Sequence, residues 1–176
     1  MIEPEPITPI APELSGRMVA SQRWSRVAFV HWRVDAAAVA GLLPAGVRPD
    51  EHEGSSWVGL IGFQLDRATI FGSPAVPYFG NFTELNVRLY GVDEAGRRGV
   101  VFASLEASRI AAVVAARVAF SIPYFWSATS LNESADGTVE YRARRHNGAG
   151  ATRMLVRPTP EEVVADATAE FLTARW

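Results

Sequence analysis

The sequence contains no cysteine and no lysine. The first absence excludes disulfides, thiolate nucleophiles and cysteine-ligated metals together. The second leaves arginine to supply all 17 basic side chains. Codon bias in an Ala-, Gly- and Arg-rich chain accounts for this as readily as selection does, and the chemical consequence is the same either way. A guanidinium stays protonated and is a poor amine nucleophile, so no side chain among these 176 residues can condense with a carbonyl to a Schiff base. Histidine is also scarce, with only His31, His52 and His146, and their spacing fits no metal-ligand pattern. No metal and no cofactor is expected. A net charge of -2 lacks the basic excess that phosphates attract, which argues against a nucleic-acid partner. No apolar run reaches the roughly 18 residues of a membrane span. The opening "MIEPEPITPIAPELSG" has no basic segment and too many prolines for a signal peptide. The expectation is a cytoplasmic protein with no membrane partner.

What is present reads as one globular domain. The 48% hydrophobic and 20% charged content, over 176 residues, suits a single core. The Pro-rich start predicts an N-terminal arm over 1–16, followed by one domain over 17–176. "SRVAFVHWRV" alternates as a strand should, and "DAAAVAGLLP" predicts a short helix capped by Asp35 and stopped by Pro44. "GVRPD" and "WVGLIGFQLDRATIF", separated by "EHEGSS", look like a hairpin, with Gly59 and Gly62 suiting a bent strand. In "FTELNVRLY" the pleat sends Thr83, Leu85, Val87 and Leu89 to one side and Glu84, Asn86, Arg88 and Tyr90 to the other. "SRIAAVVAAR" reads as a helix with Ser108 as its cap. "GTVEYRARR" and "ATRMLVRP" read as a hairpin through "HNGAG". The last segment carries Thr159, Pro160 and Glu162 in the pattern of a capped helix start. The fold class is α+β: a mostly antiparallel sheet, closed or strongly curved, with a few short helices.

The ordered blocks "FVHWRVDAAAVAGLLPAGV", "EGSSWVGLIGF", "FTELNVRLYG", "GVVFASLEASRIAAVVAARVAFSIPYFWS" and "FLTARW" resemble the YqjF-like proteins of unknown function, from about Trp24 onward. That family is grouped with the acetoacetate-decarboxylase-like superfamily, which implies a cone-shaped antiparallel β-barrel with an interior pocket. Acetoacetate decarboxylases carry a Gly-Arg-Glu segment leading to a Pro-Lys pair whose lysine forms the Schiff base. Laid on "ARVAFSIPYF", the resemblance puts Arg117 on the arginine, Pro123 on the proline and Tyr124 on the lysine, with Val118 where the pattern has glutamate. It thus implies the superfamily's fold and pocket without its imine chemistry. Family members usually continue past the "FLTARW" block with a further β segment. A barrel lacking it has sheet edges to cover, which keeps a homo-oligomer open.

Candidate ligand-binding residues follow from these readings: Glu84, Asn86, Arg88, Glu106, Arg117, Tyr124 and His31. Each has an ordinary structural explanation as well. Glu84, Asn86 and Arg88 suit either a solvated strand face or a pocket lining. Arg117 sits in an apolar run where an unpaired charge is costly, so Glu84 or Glu106 is its expected partner, unless its fork holds a substrate carboxylate. Tyr124 can donate to a carbonyl or enolate oxygen, or pack as a core aromatic with its hydroxyl on backbone. His31 is a pocket base or a structural histidine. Three functions stay open: a small-molecule barrel binding a carbonyl or carboxylate ligand, an enzyme using non-covalent acid-base chemistry through Tyr124 or Glu84 on a keto acid or dicarbonyl, and an interaction module with an open barrel edge.

Overall fold

The computed structural model describes residues 2–13, 16, 18, 20–70, 72, 74, 80–162, 164 and 166–175, with residues 70, 115, 116, 119 and 120 described by backbone alone. In chain order the elements are β1 (Ala20–Val34), α1 (Ala36–Ala40), β2 (Val47–Pro49), β3 (Ser56–Ile70), β4 (Phe82–Asp93), β5 (Arg98–Ala107), α2 (Ile110–Phe120), β6 (Tyr124–Glu133), β7 (Val139–Arg145), β8 (Ala151–Val156) and α3 (Ala167–Thr173). The strands form one sheet in the order β1-β3-β4-β5-β6-β7-β8, with β2 added beside β4. Neighbours run antiparallel except β5 and β6, which are parallel. A parallel pair needs a crossover, and α2 supplies it.

The sheet curls. β7 and β8 lie far from β1 in strand order, yet Tyr141, Ala143 and Met154 pack with Ala28 and Leu85 in one buried cluster. Only a sheet bent through a half-barrel brings those strands together. Gly62 makes the closure fit, because a Cβ there would stand 2.6 Å from Met154 Cε and 2.7 Å from Tyr141 Cδ1. The Tyr141 hydroxyl then donates to the Arg26 carbonyl at 2.5 Å, at a β1 bulge where Arg26 adopts φ 48°. The bend comes with bulges in β1, while β3 keeps continuous register with β4 from Val58 to Leu65. This is the mostly antiparallel, barrel-like architecture that the resemblance implied.

β4 is buried on both faces. Leu85 enters the cluster with β7 and β8, while Ile61, Phe63, Leu65 and Phe82 form a second cluster on the other face, beneath Val113 of α2. A third cluster joins Trp57 and Tyr90 to Phe171 and Leu172 of α3, with Ile7 of the arm against it. Burying each such side chain contributes about 1.5 to 3 kcal/mol.

Three local expectations fail. β2 and β3 do not form a hairpin: β2 pairs with β4, Val47 opposite Asp93, while β3 pairs with β1 and β4. β2 is three residues long, and Pro49 has no N–H to extend a ladder. The last helix does not begin at Thr159. It begins at Ala167, where the Asp166 side chain accepts from Ala169 N at 2.7 Å. Upstream, Val164 is 89% exposed, whereas Phe171 and Leu172 are buried and anchor the part that folds. Ser108 likewise gives way to Arg109 as the α2 N-cap, which makes no side-chain capping bond.

Candidate functional site

Strand register assembles the site. On β4, Glu84 lies opposite Phe63, Asn86 opposite Ile61 and Arg88 opposite Gly59. β1 continues the same face, with Phe29 opposite Ile61 and His31 opposite Gly59. On the other side Leu105 pairs with Asn86, and Tyr124 pairs with Leu105. Residues directly opposite project to the same face, so the β5–β6 crossover delivers the Tyr124 phenol to Glu84.

The Tyr124 hydroxyl donates to Glu84 Oε2 at 2.8 Å, and Asn86 Nδ2 donates to Oε1 at 3.3 Å. Glu84 and Asn86 are each 2% exposed, and Tyr124 is half-buried. Among the described residues no cation pairs with the Glu84 carboxyl. Burial raises its pKa from 4.5 to about 7; the bonds from Tyr124 and Asn86 pull it down, and the charge of Glu106 adds to the rise. Burial, then the adjacent Glu84 charge, pushes Tyr124 above its ordinary value of 10, so it stays a neutral donor. Asn86 Oδ1 is buried with no hydrogen-bond partner, at a cost of about 1 to 3 kcal/mol.

Further along the same face, Arg88 Nε donates to the Tyr90 hydroxyl at 2.9 Å and Arg88 Nη2 to the Leu172 carbonyl at 2.7 Å. The Tyr90 hydroxyl donates to the same carbonyl at 3.0 Å, and His31 Nε2 is 2.8 Å from that hydroxyl. With the phenol proton on Leu172, proton counting assigns His31 as the Nε2–H tautomer, donating to Tyr90. Burial, then Arg88's charge, lowers the His31 pKa to about 4, so the ring is neutral near pH 7. The Arg88 guanidinium lies over the Phe29 ring, 5.1 Å from its centroid, and makes no ion pair among the described residues.

Thus Glu84, Asn86, Arg88, Tyr124 and His31 share one face, in two groups. Glu106 does not join them. It lies opposite Leu85 and projects to the other face, where Arg145 donates to its Oε1 through Nη2 at 2.5 Å and Nε at 3.1 Å, while Arg145 stacks 3.7 Å from the Phe125 centroid. Arg117 pairs with neither glutamate. It is exposed, in the last turn of α2, and Nη1 donates to the Tyr124 carbonyl at 3.2 Å. α2 packs beside the sheet, so the guanidinium stays in water near the helix C-terminus, where a cation is favoured. The sequence reading missed one cluster altogether: Asp50 bound by Arg98 and Arg175, residues far apart in the chain with no spacing to announce them. Among the described residues no group of histidines and carboxylates converges to hold a metal, and no helix is long and apolar enough to cross a membrane.

Comparison with known proteins agrees with this fold. The uncharacterized protein YqjF of Bacillus subtilis (strain 168) is 30% identical over 163 residues, covering 92% of this chain and 67% of that protein. An acetoacetate decarboxylase-like enzyme from Sphingomonas wittichii RW1 superposes with a TM-score of 0.59 at 19% identity, over 85% of this chain and 58% of that one. Acetoacetate decarboxylase from Legionella pneumophila subsp. pneumophila str. Philadelphia 1 gives 0.56 at 16% identity, over 78% and 50%. The enduracididine biosynthesis enzyme MppR complexed with pyruvate gives 0.54 at 17%, over 72% and 51%. The chain therefore spans about half to two thirds of the length of the proteins it matches, and at these identities the solved structures speak for the fold alone. Residues 21–176 match the family model for DUF2071. The chain belongs to the DUF2071 family of uncharacterized conserved proteins, with an acetoacetate decarboxylase-like fold.

Proposed function

We propose that the face carrying Glu84, Asn86, Tyr124 and Arg88 binds a small carbonyl or carboxylate compound without a covalent link to the protein. The carrying observation is the Glu84 carboxyl: buried, held by two neutral donors, without an ion pair, and titrating near 7. Keeping such a group in a core costs stability, and carboxyls perturbed in this way concentrate at functional sites. Asn86 supplies an acceptor unmet among the described residues, and Arg88, hydrogen-bonded to neutral groups alone, a cation without a carboxylate partner among them along the same strand. Half-buried Tyr124 and Phe29, which is 39% exposed, are the groups to move as a ligand enters. A related fold has been captured with pyruvate, which bears both a carbonyl and a carboxylate. Here no lysine is available for an imine.

Thermal unfolding with small 2-keto acids tests this. The ligands raise the melting temperature of the wild type, and Tyr124→Phe, which removes the donor to Glu84, reduces the rise. No shift with any member of the panel contradicts the proposal.

A second reading rests on the same pKa. A carboxyl titrating near 7 suits proton transfer at neutral pH, with Glu84 as the proton carrier and Tyr124 holding the substrate oxygen. Solvent deuterium exchange into a 1,3-dicarbonyl compound then depends on Glu84. Exchange unchanged by Glu84→Gln rules it out.

A further inference from the structure

A second polar cluster, at the end of β2, is not used by the Glu84 face. Asp50 is 1% exposed and accepts from Arg98 Nη1 at 2.6 Å and from Arg175 Nη1 at 2.7 Å. The Arg175 side chain is 2% exposed and lies over Phe171 at 4.3 Å and Tyr90 at 5.0 Å, while its Nη2 is buried with no hydrogen-bond partner among the described residues. One carboxylate shared by two guanidiniums leaves a positive charge uncompensated. A buried, orphaned guanidinium donor is costly unless something anionic meets it. Burial accordingly lowers the Arg175 pKa, with Asp50 opposing the fall.

Beside this cluster is a cavity of about 330 Å³, walled by Arg98, Arg175 and Ala174 together with Ile7, Ile10 and Pro12 of the N-terminal segment. The arm is fastened in place. Glu5 N–H donates to the Gly96 carbonyl at 2.9 Å, and Arg98 Nε donates to the Glu5 carbonyl at 2.7 Å. Gly96, at φ +85°, lets it approach, because a Cβ there would stand 2.8 Å from the Glu3 carbonyl oxygen. Among the described lining residues Glu5, which is exposed, is the one acidic group that opposes an anion.

We propose that this cavity is a second binding site, separate from the Glu84 face, for a compact monocarboxylate with an apolar or aromatic body. The carboxylate meets the Arg98 cation, 20% exposed, with the buried Arg175 charge behind it, and the body lies against Ile7, Ile10 and Pro12. The volume falls at the lower end of small-molecule sites, about 300 to 1,000 Å³, which favours a single ring or short chain.

Calorimetric titration with benzoate, and with benzamide as its neutral control, tests the site. Benzoate binds and benzamide does not. Glu5→Gln removes the opposing charge and tightens benzoate about two- to five-fold, the scale of an exposed charge pair. Ile10→Trp, at a position 79% exposed and so tolerant of size, fills the cavity and abolishes binding. Tyr124→Phe retains the benzoate binding that Ile10→Trp removes, which separates this site from the Glu84 face. The proposal is overturned by benzamide binding as tightly as benzoate, by equal benzoate affinity in Glu5→Gln and wild type, by undiminished binding to folded Ile10→Trp, or by loss of binding in Tyr124→Phe.

Discussion

Glu84→Gln should stabilise the protein at alkaline pH and leave it unchanged at acid pH. In the unfolded chain the carboxyl titrates near 4.5, and in the folded chain at about 7. Between those values the folded state holds a proton that the unfolded state has released, so stability falls as pH rises through that window and is level above it. The displacement from 4.5 to about 7, at about 1.4 kcal/mol per pH unit, amounts to about 3 kcal/mol. A glutamine never ionises and avoids that cost. Its carbonyl can still accept from Tyr124, and once the Asn86 amide turns over, its amino group donates to Asn86 Oδ1 in place of the bond that Asn86 Nδ2 now makes. Urea unfolding at pH 4.5 and pH 8 therefore gives a variant-minus-wild-type difference near zero at the lower pH and about 3 kcal/mol in the variant's favour at the higher. In melting temperature this is about 6 to 12 °C for a chain of this size. Other carboxylates with lowered pKa values, such as Asp136 and Glu140, cancel in the difference. A variant less stable than wild type at pH 8, or an offset equal at both pH values, refutes the reasoning.

His31 carries the opposite sign. Its pKa falls from 6.5 to about 4, so the unfolded state binds the extra proton and stability rises with pH across that interval. After discounting for partial exposure, His31→Gln removes about 2 kcal/mol of that rise, read as a flatter stability profile between pH 4 and 6.5; an unchanged profile contradicts the neutral, Tyr90-bound imidazole. Arg145→Ala leaves the Glu106 carboxylate buried without its partner and lowers stability by about 3 kcal/mol in urea unfolding, whereas a loss under 0.5 kcal/mol marks the pair as a surface contact. Gly62→Ala drives a methyl into Met154 and Tyr141 and destabilises by about 1 to 3 kcal/mol; a neutral effect there means β7 and β8 do not pack so closely.

The pleat made the Glu84 face legible in the sequence. Alternation alone groups Glu84, Asn86, Arg88 and Tyr90, and the structure keeps that grouping. That Tyr124 joins them came through the resemblance, since nothing local in "ARVAFSIPYFW" says which strand will lie beside it. Glu106 shows the limit of alternation: it gives parity within a strand but not the register against β4, and register decides the face. The apolar flank of Arg117 suggests burial in the sequence, whereas the α2 positions Ile110, Val114 and Val118 are themselves 52%, 54% and 81% exposed. The Asp50 cluster stayed hidden because its three members sit at sequence distances of 48 and 125 residues, and only tertiary closure makes them neighbours.

The account rests on Glu84 as a buried, near-neutral-titrating carboxyl at a ligand face. A carbon-13 NMR titration of its side-chain carboxyl, assigned by loss of the signal in Glu84→Gln, addresses that directly. The predicted midpoint is about 7, displaced when the protein is saturated with pyruvate. A midpoint near 4.5, or one that pyruvate leaves in place, contradicts it.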